Sequence, residues 1–468
     1  LSMALLAVCF GFIICSVVPS LNAEESKRAF TIDDLFKLKT VGDPQVSPEA
    51  MWVAYTITEV DLEKDKSETR IWMVPVSRGD AIPMTAEGSS ASTPRWSPDG
   101  KTLSFLSSRN DGKTQVWNLD RRGGEAQQLT EIPQGVQGYE WSPDGTRLVL
   151  ILQDPKPEDL EKDKDKKAKI ETPKPWVIDR IQFKRDYVGY LDRRRTHLFV
   201  FDLSDKKMTQ ITSGDFDDTQ PTWSPDGKFV AFVSNRTEEP DTNNNTDIWI
   251  VSAWNTDKGK TLRHLTTNSQ PDQSPVWSPD GKDIAYETVV DKKHHYYSCI
   301  TFLALTPFEG GEPRILTRAL DRNISSPKFS PDGKAVFFML EDSGEQHLAK
   351  VNVSNGKIAR AVAGQRSVYS YSLGLEGSVA VLVSEPQLPG EIFLSKADKL
   401  QQLTFTNQKL LSELSLAEME NIHFKSNDGT EIEGFIYKPL GFSPDFRYPT
   451  ILWLHGGPVS QYDASFNY

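Results

Sequence analysis

Cysteine is scarce: the 468 residues hold three, and two of them, Cys9 and Cys15, fall within the first eighteen positions. If that leader is removed, Cys299 stands alone and no disulfide framework can form in a mature monomer. Set in the apolar run YYSCITFLAL, Cys299 reads as a packing residue and not a nucleophile. Positive charge is also in deficit, with 53 Lys and Arg against 65 Asp and Glu and a formal net charge of −12. Nucleic-acid binding draws most of its affinity from Lys and Arg neutralising phosphates, so no nucleic-acid partner is expected. Metal-ligand spacing is missing as well. The adjacent His294 and His295 are accompanied by neither HExxH nor a Cys/His pattern, and they read as an exposed hairpin end. No cofactor or metal is expected. No helical period of any length appears from about 40 to 415.

Long apolar runs are few, and the first is at 3–18 (MALLAVCFGFIICSVV), followed by Pro19, Ser20 and Ala23. It resembles a secretory signal peptide over 1–23, which implies export to the periplasm or beyond and no membrane contact after cleavage. Sixteen residues are short for a bilayer span, which needs about 20; an uncleaved anchor is the alternative. No lipid-attachment pattern precedes Cys9 or Cys15. The chain begins with Leu and has no basic start, so it reads as incomplete at its beginning.

What the chain does have is a recurring phrase. WSPDGK stands at 96–101, 223–228 and 277–282, as WSPDGT at 141–146 and as FSPDGK at 329–334, with worn copies from Val46 (VSPEAMWVAY) and Leu373 (LGLEGSVAVLV). Their first residues lie 50, 45, 82, 54, 52 and 44 positions apart, the spacing of one supersecondary unit per copy. Proline presets φ in such a turn, Asp hydrogen-bonds the backbone just ahead, and Gly accepts the positive φ that closes the hairpin. Each copy is followed by short alternating strands, the last ending in Leu-Thr or similar. Seven four-stranded units predict a mainly β chain, a seven-bladed β-propeller over 24–415; a linear β-solenoid would have shorter repeats. A short helix is expected at 31–37 (TIDDLFK), with Thr31 as N-cap and Asp34 three residues on.

The 82-residue interval carries an insertion at 154–195. Its charged start, 154–169, reads as a solvated loop tip. Its second part, 176–195 (WVIDRIQFKRDYVGYLDRRR), interleaves aromatics with six basic residues. That composition suits a hairpin braced by salt bridges or, through Arg180, Lys184 and Arg185, a substrate entrance. Glu238 and Glu239, in the polar loop NRTEEPDTNNN, could hold a peptide's amino terminus or be an ordinary loop pair.

From about 415 the phrase stops. NIHFK at 421–425 and EIEGFIYK at 431–438 flank an Asn-Asp-Gly turn and predict a hairpin. TILWL at 450–454 suits a strand buried on both faces, and it runs into His455-Gly456-Gly457-Pro458. Glycines at the carboxyl end of such a strand let a backbone amide donate to an oxyanion formed in acyl transfer.

With WSPDGK-type repeats, then DGTEIEGFIYKP, then TILWLHGGP, nearly all of the chain after the leader resembles the prolyl oligopeptidase family of serine peptidases, in its acylaminoacyl-peptidase and dipeptidyl-peptidase-like branches. The resemblance implies a propeller that limits access to an α/β-hydrolase domain where Ser, Asp and His cleave peptides. The family's oxyanion position falls on His455 to Pro458, with the Gly457 amide first, Gly456 second, and His455 and Pro458 supporting the loop. The departure is that no Gly-x-Ser-x-Gly occurs anywhere. The triad is therefore expected beyond Tyr468, and 416–468 is read as the truncated start of a domain that by ordinary sizes needs about 150 to 250 residues. The chain as given is expected to be inactive. Two other functions fit: a non-catalytic TolB-like propeller that binds a protein or peptide, and an esterase or other acyl hydrolase on the same scaffold.

Overall fold

Every full copy of the phrase folds into the same turn. The serine hydroxyl donates to the aspartate at 2.5–2.7 Å in Ser97–Asp99, Ser142–Asp144, Ser224–Asp226, Ser278–Asp280 and Ser330–Asp332. The same aspartate oxygen accepts the backbone N–H of the residue after glycine, at 3.1–3.2 Å. The five glycines have φ of 67–71°, a region that a Cβ disfavours. This computed structural model describes residues 27–109, 112–156, 159, 175, 177–291, 293–295, 298–397, 399–457 and 459–467. The apolar leader, most of the charged run at 154–169, Trp176 and Pro458 lie outside the described residues.

The turns open antiparallel meanders, and the fold is mainly β. Five four-stranded sheets occupy 40–83, 91–128, 138–210, 218–264 and 272–315. Two further four-stranded meanders, 324–362 and 367–402, are joined into one eight-stranded sheet by a single pairing of Gln346 with Ser367. The insertion lies between the second and third strands of the third meander. Outside the sheets, Thr31 and Asp34 begin the short helix Ile32–Leu35, with the Thr31 N–H donating to the Asp34 carboxylate at 2.9 Å.

Two side-chain devices recur. The threonine that follows the fourth strand accepts a backbone N–H from the third: Thr85 from Ile71, Thr130 from Val116, Thr212 from Leu198, Thr266 from Ile248, Thr317 from Leu303 and Thr404 from Ile392, all at 2.8–3.0 Å. In five of the seven meanders the first strand, an edge of its sheet, carries a bulge at an X-Pro pair. Asp43, Thr93, Gln220, Ser274 and Ser326 each precede a proline with φ of 44–55°, and the register slips there. An edge is where a residue without an N–H is tolerated.

The core is divided among the seams. Seven apolar clusters each join two neighbouring meanders, from Ile71 with Phe105 in the first and second to Met339 with Val381 in the sixth and seventh. One of the seven joins the last meander to the first, through Val53 and Tyr55 with Leu382 and Ile392. Indole N–H groups stitch the inner strands across the same seams: Trp96 to Gln45 O at 2.9 Å, Trp223 to Glu140 O at 3.3 Å and Trp277 to Thr222 O at 3.2 Å. No sheet among the described residues closes on itself. The seam between first and last is held instead by packing and by side-chain bonds, the Val46 N–H to Ser372 Oγ at 3.0 Å and a two-way clasp of Asn407 on the Lys39 backbone at 2.9 and 2.8 Å.

Two expectations are corrected. Cys299 is not in the core; it is partly exposed in a loop, its Sγ 3.3 Å from His295 O. The run at 450–454 forms no strand, and Ile451, Leu452, Trp453 and Leu454 are 76–87% exposed. A strand buried on both faces needs a neighbour on each side, and the described residues supply none.

Candidate functional site

The segment after 415 is seated on one end of the meanders. Its hairpin, Met419–Lys425 with Glu431–Tyr437, turns at Gly429, where φ is 86°. Phe435 packs on Gly344 so closely that a Cβ there would lie 2.6 Å from the ring. The returning chain donates Ala464 N–H to Gly344 O at 2.7 Å and Phe466 N–H to Ser384 Oγ at 3.0 Å. Phe466 also meets Phe30 edge-on, with ring centroids 6.4 Å apart, near the parallel pairing of Arg28–Ala29 with Leu414–Ser415. Gly344 and Ser384 belong to second-to-third-strand corners of the sixth and seventh meanders, whereas the Ser-Pro-Asp-Gly turns join first to second strands. In a meander these connections emerge at opposite ends, so the segment sits at the end away from the turn phrases.

Gly457 and Gly456 differ in what they require. Gly457 has φ of 130°, and a Cβ on it would meet Val459 N at 2.7 Å. Gly456 has open space around it. The position is therefore restricted to glycine at 457 by conformation and crowding together, and neither amide has an acceptor among the described residues. His455 Nδ1 lies 3.0 Å from Gly456 O, and the imidazole meets the Tyr462 ring edge-on with centroids 6.2 Å apart. An unengaged amide on a left-handed glycine can donate to an oxyanion brought to it.

The remaining candidates lie in two loops at the same end of the meanders. Lys184 and Arg185 form a two-residue ladder with Gly189 and Tyr190 and are exposed. Glu238 and Glu239 are exposed just before the turn Pro240–Thr242. Arg180 is not free for a ligand: it is a tenth exposed and forks onto Asp241 at 3.0 and 2.7 Å. Asp241 also accepts the backbone N–H groups of Ile181 and Gln182 at 2.5 and 3.1 Å. Burial pushes the Asp241 carboxyl up, but these donors outweigh it and hold it below the usual carboxylate range. The residue that unites the two loops is thus Asp241, which no motif singled out; it is one acid in a polar string. Arg193–Asp179, Arg194–Asp192 and Arg195–Asp215 pairs brace the insertion further. Neither loop is hydrogen-bonded to His455, Gly456 or Gly457 among the described residues.

Other chemistry is sparse among the described residues. No group of three His, Cys, Asp or Glu side chains could hold a metal. His294 bonds its own loop through Asp291 at 2.9 Å. Burial and the Asp291 charge raise the Cys299 thiol, the opposite of nucleophile activation. No helix among the described residues is long and apolar enough to cross a membrane.

Among known proteins, this chain is similar to peptidases. The chain is 28% identical over 456 residues to the uncharacterized peptidase YuxL of Bacillus subtilis, covering 94% of this chain and 68% of the relative. It is 27% identical over 452 residues to dipeptidyl-peptidase 5 of Porphyromonas gingivalis, covering 91% and 63%. The chain thus spans about two thirds of the length of these relatives. Among solved structures, the acylaminoacyl peptidase of Pyrococcus horikoshii superposes with a TM-score of 0.74 at 22% identity, over 95% of this chain and 63% of that one. The β-propeller domain of the Trilobed protease from Pyrococcus furiosus, described as having an open velcro topology, matches 79% of this chain and 97% of its own, with a TM-score of 0.55 at 20% identity. No family model matches. The relatives are those that the motifs resembled, consistent with the prolyl oligopeptidase family.

Proposed function

We propose that this chain, a relative of prolyl oligopeptidase-type peptidases, is the substrate-gating part and the first hydrolase strands of an exported serine peptidase acting on short peptides. The seven meanders are its blades, and 416–468 begins the catalytic domain, whose Ser, Asp and His lie outside these 468 residues. Gly457 donates its amide to the oxyanion of the tetrahedral intermediate. The observation that carries the reading is the continuity of the match: similarity to peptidases runs over 94% of the chain, through the repeats and into the later segment, where Gly457 has the conformation and the unengaged amide such a donor needs.

The mechanism follows from what these residues can do. Attack on the scissile carbonyl moves negative charge onto its oxygen. A donor fixed by its own backbone loses nothing to reorganisation when that charge appears, and removing one such donor typically costs about 10²–10³ in kcat. The clasped loops around Arg180 and Asp241, on the end that carries the hydrolase segment, line the approach. Labelling the full-length product with a serine-directed fluorophosphonate, alongside turnover of dipeptidyl and acylated peptide amides and of simple esters, tests the reading. No labelling would overturn it, and turnover confined to esters would replace peptidase by esterase.

A further inference from the structure

The turn phrases stack in a ring, each glycine against the proline of the preceding turn. A Cβ on Gly145 would lie 3.4 Å from Pro98, on Gly281 3.7 Å from Pro225 and on Gly333 3.4 Å from Pro279. At the seventh copy the stack breaks. Residues 373–378 have the length of the phrase, but Leu375 stands for Pro and Glu376 for Asp. Glu376 takes a positive φ of 53°, Ser378 N–H bonds Leu375 O at 3.1 Å, and Gly377 has nothing within 4 Å. Leu375 is left 48% exposed.

The break opens space on both sides. Between the sixth and seventh meanders lies a cavity of about 680 Å³, inside the roughly 300–1,000 Å³ of ligand sites. A second, of about 260 Å³, lies beyond the turn and reaches Arg95 and Trp96; both are lined by Pro331, Leu373 and Gly374. Together they form a groove from the outer surface toward the inner strands. Its floor is apolar, with Phe337, Ala359 and Val379, and its rim carries Lys334, Lys350 and Lys357. Lys334 is paired with Asp332 at 3.6 Å, and Glu376 with Lys396 at 3.1 Å. Lys350 lies 5.6 Å from the Phe337 ring, and neither it nor Lys357 has a carboxylate partner among the described residues. In a chain of net charge −12, two uncommitted ammonium groups over an apolar floor call for an acidic, amphipathic occupant. The groove borders Ile358–Val362, whose outer edge pairs with no strand among the described residues and can accept an extended backbone.

We propose that this groove binds an extended acidic peptide, apolar and acidic side chains alternating, at the end of the molecule opposite the hydrolase segment. The site does not depend on the peptidase reading. The test uses full-length protein pretreated with fluorophosphonate, so that cleavage is not read as binding. Fluorescence anisotropy follows a labelled decapeptide alternating Glu with Leu and Phe, and a matched peptide with Lys in place of Glu. Saturable binding of the acidic peptide alone, weakening as salt rises, is expected. Lys350→Glu/Lys357→Glu should weaken it at least tenfold. Gly374→Ser/Leu375→Pro/Glu376→Asp writes the turn phrase into the seventh copy and should abolish binding with both lysines intact. Equal binding of the two peptides, no binding, or undiminished affinity in either folded variant overturns the proposal; Lys350→Gln/Lys357→Gln decides if the other variants do not fold.

Discussion

Single residues carry the strongest chemical constraints, and two of them make predictions. Asp272 is fully buried at the seam of the fourth and fifth meanders. Burial pushes its carboxyl up to about 6; Thr288, Thr266 and Asn268 oppose the rise, and the nearby Asp247, itself bonded to His264 at 3.0 Å, adds to it. Asn268 donates to Oδ1 at 2.6 Å, but Oδ2 has no donor among the described residues. A carboxyl whose folded pKa is raised makes the fold bind more protons than the unfolded chain, so stability falls as pH rises from about 4 to 6 and stays low above. Asp272→Asn is expected to raise Tm at pH 8, by no more than about 3 kcal/mol of stability, and to leave it unchanged at pH 4. Thermal melts across that range check it, and an equal shift at both pH values would remove the carboxyl as the cause. At Gly457, crowding and φ combine, so Gly457→Ala in the full-length protein should lower kcat about 10²-fold or more with little change in KM. Gly456→Ala, in open space, should be mild; a reversed order would move the donor to Gly456.

At the scale of elements, the insertion and the Glu238–Glu239 loop behave as one unit because Asp241 accepts from both the Arg180 side chain and two backbone amides. Asp241→Ala leaves the Arg180 guanidinium and those amides without their acceptor, a loss of roughly 1–3 kcal/mol confined to the loops. Limited proteolysis should then cut within 177–195 faster than in the parent while the global melt hardly moves. Unchanged cutting would mean that the Arg193, Arg194 and Arg195 pairs suffice. The contrast with the turns shows what a sequence can disclose. Ser-Pro-Asp-Gly encodes its own φ values and hydrogen bonds within six residues, so each turn was legible locally, as were the 421–438 hairpin and the helix start at Thr31. The X-Pro bulges were present in every inner strand that carries the proline, yet a positive φ before proline follows from no local rule, and they went unread. Asp241 gains its role only from a partner 61 positions away. TILWL reads as a strand because apolar runs so often are, but pairing belongs to neighbours, not to the run. The groove at the seventh turn has no local signal for the same reason: in sequence Leu375 and Glu376 are only a worn copy of the phrase, and the stack of prolines against glycines shows what that wear opens.

For the whole molecule the decisive seam is the one between first and last meanders, because chain connectivity holds every other pair together and leaves this one to side chains and to the two-residue pairing of Arg28–Ala29 with Leu414–Ser415 beside it. Asn407 is buried, and its amide both accepts from Lys39 N–H and donates to Lys39 O. Glu391 supports it from the seventh meander by accepting the Asn407 N–H at 3.2 Å together with the Thr404 and Thr406 hydroxyls. Asn407→Ala removes both bonds to Lys39 and strands the Lys39 amide, a cost of about 1–3 kcal/mol. If closure is the weak point, that cost should appear as local opening before global unfolding. Hydrogen exchange should therefore speed up at Thr40–Val46 and Ser367–Leu373, on the two sides of the seam. It should stay at parent rates at Asp218–Trp223 and Asp272–Trp277, whose seam Gln220 spans by accepting the Ser274 N–H at 2.7 Å. Gln220→Ala provides the control, since it removes one exposed cross-seam bond where the backbone already joins the partners. It is expected to lower Tm less than Asn407→Ala does, and without the localised exchange. Uniform acceleration in both variants would mean that the seven seams open together and that this one is no weaker than the rest.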